Sequence, residues 1–142
     1  VIIMDAHAAD AQSLEVLREA VYESWELAGL ADQYQEFLEL YRPVLKAVSL
    51  KTSVDADVCF LVLTLLIHDY RKVLLNDMDI PHLLLPTDWP GDSALRLVKN
   101  LYRHVCTGAE KYIQDSMESA EGALPPPIAS YYERLGGLPK VK

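Results

Sequence analysis

The sequence predicts an all-α fold, a compact bundle of four to five helices. Three observations carry that prediction. Apolar residues recur at the spacing of a helical turn in several segments. One run, Val58 to Ile67, is apolar apart from Thr64. Prolines and glycines stand between these segments and stop them. The 142 residues suit one domain. A chain of this size buries roughly two thirds of its unfolded surface on folding.

The first helix takes its face from Leu14, Leu17, Val21, Trp25 and Ala28. Asp10 or Ser13 caps its start, and Gly29 marks its end. The second takes Tyr34, Phe37, Leu38, Tyr41 and Leu45, and Pro43 is expected to end or kink it. Thr52 to Asp55 resembles a capping box for a third helix that runs to about Leu75. Its first half is apolar on all sides, so other helices are expected to surround it. At ten residues the run is too short to cross a bilayer, which needs about 20.

Pro81, Pro86 and Pro90 forbid a regular helix between Asp77 and Pro90, yet Leu83, Leu84 and Leu85 call for burial. Asp88 is placed to cap the fourth helix, with Pro90 and Gly91 in its first turn. Asp92 complements the helix dipole there. The core face is Ala94, Leu97, Val98, Leu101, Val105, Ala109 and Tyr112. Beyond it, Pro125 to Pro127 stiffen an extended tail, and a short helix follows over residues 128–135 until Gly136-Gly137 stops it. The chain divides into residues 1–10, a remnant of a preceding domain or a linker; 11–120, the helical domain; and 121–142, a proline-rich, partly ordered tail. Val1 to Met4 read as a remnant strand or as an artificial boundary.

Composition restricts function. The net charge of -8 repels a polyanion, so this chain by itself is a poor DNA binder. Cys59 and Cys106 belong to no CxxC pair and read as buried, reduced thiols of a cytoplasmic protein. There is no G-x-S-x-G, no phosphate-cradling glycine loop and no H-E-x-x-H. His104 and Cys106, two apart on one helix, do not face each other. His68-Asp69 invites a metal-dependent hydrolase reading, which requires further His and Asp ligands on neighbouring helices. His82 and His104 stand at no recognisable spacing for it, and His7 lies near the start. The plain alternative is that Asp69 bonds a neighbouring helix.

Arg96, Lys99 and Arg103 form a basic stripe at i, i+3, i+7. It is a solvated face or an anion contact. Arg71 and Lys72, at the polar end of the third helix, can join it if the helices pack side by side. A phosphorylated ligand with an apolar end suits such a place. Tyr70 and Trp89 would shape the apolar part.

The run H-D-Y-R-K-V-L-L-N-D-M-D-I-P-H-L-L-L-P-T-D-W-P-G, His68 to Gly91, resembles the signature of the PaaX family, repressors of bacterial phenylacetic acid degradation. Its marks are His68, Asp69, Arg71, Asp77, Pro81, Pro86, Asp88, Trp89, Pro90 and Gly91. Trp25 to Leu38 and Leu101 to Arg103 are similar to further family segments, and the resemblance covers about residues 20–115. Ile80 and Met78 depart from it mildly, both apolar. The resemblance implies a three-part protein of winged helix, ferredoxin-like middle domain and helical C-terminal domain, with this chain as the last. It implies phenylacetyl-coenzyme A, or a related acyl-coenzyme A, as effector, a homodimer, DNA contact only through the winged helix, no cofactor and no catalysis. Arg71, Arg96 and Arg103 are then expected to hold the anionic end, helped by Lys72 and Lys99, with Tyr70 and Trp89 at the apolar end. A helical interaction module without a ligand is the competing expectation.

Overall fold

The computed structural model describes residues 11–24, 26–77 and 80–133. The expected N-terminal strand, the Asp10 cap, His7, Trp25, Met78 and the Gly136-Gly137 stop lie outside them, as does the Ser13 side chain. Five α-helices follow in order: α1 (Ala11–Ser24), α2 (Leu27–Ser49), α3 (Ala56–Leu74), α4 (Pro90–Ser116) and the short α5 (Ala129–Tyr132). The fold is all-α as predicted, with one small addition. Glu118–Ser119 (β1) and Gly122–Ala123 (β2) pair antiparallel, so the chain leaves helix at Ser116. Gly122, at φ 112, supplies the backbone that this turn requires.

α2, α3 and α4 enclose the core. Leu66, Ala94, Val98, Leu101, Val105 and Ala109 are wholly buried, with Leu27, Tyr34 and Leu38 almost so. Each large side chain among them contributes about 1.5–3 kcal/mol. α3 and α4 are antiparallel. At one end a Cβ on Gly108 would lie 2.6 Å from the Cys59 sulfur, and Phe60 stacks on Tyr112 at 5.0 Å. Only glycine lets the helices close that far. Both cysteines are free and buried. Burial, and then Asp55, pushes the Cys59 thiol pKa up.

Several sequence expectations change. The first helix does not reach Gly29. It ends at Ser24, and Glu26 takes a left-handed conformation (φ 48) that redirects the chain into α2. Ala28 and Gly29 therefore lie exposed in the first turn of α2. Pro43 does not end α2, which continues to Ser49. Both Pro43 and Glu39, whose carbonyl loses its partner, are exposed, so the missing bond falls on the solvent side of the helix. The Thr52–Asp55 box is not formed. α3 begins at Ala56 with no side-chain cap, and the Asp57 carboxylate accepts the Val58 N–H at 2.8 Å. Asp88 does not cap α4 either. Trp89 holds that position, and Asp88 is exposed in the turn before it. α3 is not surrounded, since Val58, Leu61 and Leu65 are exposed. Leu83 is exposed as well, while Leu85 is buried and Leu84 partly so.

Candidate functional site

The end of α3, the proline loop and the start of α4 build one cavity of about 330 Å³. Tyr70 enters it from the last turns of α3. The ring is buried and packs on Phe37 at 5.5 Å. Leu74, Ile80 and Leu85 add apolar wall. Trp89, also buried, meets Tyr34 edge-on at 5.8 Å and 77°.

Gly91 explains the W-P-G order. A Cβ there would lie 2.5 Å from the Trp89 indole nitrogen and 3.3 Å from the Tyr34 ring. Pro90 opens the helix, and the bare backbone at Gly91 lets the indole fold back over its first turn.

Polar bonds brace this end. The Tyr41 hydroxyl donates to Asp69 at 2.7 Å, and the Tyr34 hydroxyl donates to Asp77. Asn76 Nδ2 donates to Gln33 Oε1 at 2.8 Å. Three side chains of α2 thus grip the end of α3 and the residues just after it. Burial first, and the Asp77 bond second, hold the Tyr34 proton far above the ordinary tyrosine range. Burial and the Asp69 bond do the same at Tyr41. Tyr70 is raised by burial, then by Asp77. His82 Nε2 lies 3.5 Å from Asp92 Oδ1, an exposed pair that ties the proline loop to α4.

The cations stand outside. Asp77, Asp92 and His82 are the ionisable side chains of the cavity wall besides its two tyrosines, and none of Arg71, Lys72, Arg96, Lys99 and Arg103 lines it. Arg71, Arg96 and Arg103 are exposed, Lys99 is half-buried, and Arg96 donates to Ser93 Oγ at 3.1 Å. Arg71 and Lys72 share a second hollow of about 440 Å³ with Thr64, Ile67, His68 and Leu75. Lys72 also faces Gln33 and Glu36 of α2. Counting back along the antiparallel pair from Cys59 and Gly108 sets Arg96 near the level of Arg71.

Of the signature residues, Asp77, Trp89 and Gly91 line the cavity, beside Tyr70. Pro90 is buried behind them, Pro86 is half-buried, and Pro81 and Asp88 are exposed. His68 is exposed, and Asp69 bonds α2, as its plain reading expected. Among the described residues no group of three or more His, Cys, Asp and Glu is placed to share a metal ion, so the hydrolase reading finds no donor set. Tyr34, Tyr41, His82 and Asp92 were not anticipated as site residues. The signal was present in two tyrosines seven apart on α2 and two aspartates eight apart near the end of α3. Among the described residues no helix is long and apolar enough to cross a membrane.

A family model described as the PaaX-like protein C-terminal domain matches residues 25–115. The chain is 36% identical over 141 residues to the transcriptional repressor PaaX of Escherichia coli (strain K12), which covers 97% of this chain and 44% of that protein. The chain therefore spans less than half the length of that curated relative.

Proposed function

The chain belongs to the PaaX-like C-terminal domain family, and from that membership we propose that it is the effector-sensing and dimerisation domain of a bacterial transcriptional repressor of phenylacetate catabolism. The repressor is cytoplasmic. It contacts DNA through a winged helix outside this chain and responds to phenylacetyl-coenzyme A or a related acyl-coenzyme A. Residues 11–120 are the sensing domain. The observation that carries this reading is the meeting of three signature residues, Asp77, Trp89 and Gly91, with Tyr70 on one cavity.

The aryl end enters between Tyr34, Tyr70 and Trp89. Asp77 and Asp92 make that cavity hostile to an anion, so a free aryl carboxylate is disfavoured and an esterified, uncharged end is accepted. The phosphates stay outside. Arg71 on α3 and Arg96 on α4 stand at similar levels along the helix pair, and Lys99 and Arg103 continue along α4. Arg103 lies seven residues, about 10 Å, beyond Arg96. The long tail of the ester spans such a row. The ligand acts by favouring one arrangement of the α3 end, the proline loop and α4, and it shifts the intact dimer only through its differential affinity for that arrangement. Thermal unfolding of this chain tests the reading, with phenylacetyl-coenzyme A beside free coenzyme A and phenylacetate. At a hundred times its dissociation constant a ligand adds about 2.7 kcal/mol, a shift of several degrees. A shift with the ester alone is expected. No shift with any of the three removes sensing from these helices and leaves the interaction-module reading.

A further inference from the structure

α3 turns one face to solvent. Val58, Leu61 and Leu65 on it are 38%, 57% and 47% exposed. From Val58 to Ile67 there is no charged residue. The one polar side chain there, Thr64, spends its hydroxyl on the Phe60 carbonyl at 2.8 Å. Charges stand only at the two ends. Asp55 and Asp57 are exposed at the start, and Arg71 and Lys72, just past the exposed His68, are exposed at the finish. Residues 57, 61, 65, 68 and 72 follow one line down the helix, because steps of three and four stay on one face. Acid, apolar middle and base lie along that line in order.

We infer that this face is a self-association surface, where two copies of the chain pack α3 against α3, antiparallel, about a two-fold axis. The inference deepens the dimer reading above and rests on it. A two-fold interface presents the same patch on both sides, so the patch must complement itself. Antiparallel packing sets the Asp55–Asp57 end of one helix against the His68–Lys72 end of its partner, with Leu61 and Leu65 between. A parallel pair would set acid on acid and base on base. The net charge of -8 makes two copies repel at long range. A neutral stripe with opposed ends is where that repulsion is relieved. A uniformly acidic or basic partner would match only one end, whereas a second copy matches both. The face lies on the side of α3 away from Tyr70 and Leu74, so the cavity is left open.

Sedimentation velocity of this chain, from micromolar to submillimolar concentration, tests the inference. The parent is expected to be dimeric. L61E/L65E is expected to be monomeric yet to keep the parent's helical circular dichroism, since both side chains are already exposed. K72D alone is expected to weaken association about tenfold, and D57K/K72D to recover most of the loss. A dimer that persists in L61E/L65E overturns the α3 face while the dimer reading stands. A parent that is monomeric throughout removes the dimer reading, and this surface with it. Failure of D57K/K72D to recover overturns the antiparallel arrangement.

Discussion

The two ends of the α3–α4 pair are closed by different means. At the Cys59 end, Gly108 brings backbone against thiol and Phe60 stacks on Tyr112. At the Tyr70 end, the elements are spread by a cavity and braced through hydroxyl–carboxylate bonds from α2. Apolar contact is close, dry and tolerant of little change in volume. Hydrogen bonds to carboxylates span a gap while fixing direction. One end therefore holds the fold, and the other keeps a shape that a ligand can use.

The contrast is broken most severely from the interior. Leu101→Ala, at a wholly buried position on α4, should cost about 3 kcal/mol in urea unfolding. Gly108→Val forces a side chain into the Cys59 contact and should cost about 2 kcal/mol, with the ligand response of the folded fraction retained. A Gly108→Val chain that folds normally but loses the response would place the site at the wrong end. Tyr34→Phe leaves Asp77 without its donor and should cost about 1.5 kcal/mol, together with a weakened ester response.

Burial of the two tyrosines, and after it the same bonds, give the cavity end its own pH dependence. A tyrosine with a raised pKa holds its proton more tightly when folded. The contribution of these tyrosines to stability should therefore be level up to the ordinary value of 10.0 and fall as pH rises beyond it. Unfolding titrations should show this loss in the parent and a reduced loss in Y34F/Y41F. An equal alkaline loss in that variant would detach the pH dependence from these bonds. The smallest effect on the fold comes from the surface. Arg96→Gln with Arg103→Gln should change stability by less than about 0.5 kcal/mol while reducing the shift caused by the ester. A double variant that responds like the parent would remove the basic stripe from the site.

The helices were readable because each carries its own apolar period, and the face of α4 is buried as the spacing required, with Tyr112 half-buried at its end. What could not be read depends on which way a residue faces once packed. Pro43 is harmless only because its missing bond points to water. The α1–α2 break rests on one strained residue, Glu26, of a type that gives no warning, while Gly29 nearby offered a false stop. The apolar run of α3 suggested full enclosure, but periodicity cannot say how many neighbours a helix has. In the site, Tyr70 and Trp89 were identifiable as large amphipathic rings. Their polar braces were not, since Tyr41 and Tyr34 reach partners 28 and 43 residues away. Arg71 and Arg96 come level through the antiparallel packing, yet neither enters the cavity.

The proline loop has a second attachment. Arg18 Nε of α1 donates to the Leu83 carbonyl at 2.9 Å, and Leu84 and Leu85, the next two residues, run inward. α1 otherwise touches the bundle lightly, with Val21 buried and Val16 exposed. The loop is thus a shared handle, with Leu85 on the cavity wall and Leu83 held by α1. A ligand that filled the cavity would thus meet, at Leu85, the same loop that α1 holds at Leu83, and it would reach α1 without passing through the packed interior of the three long helices.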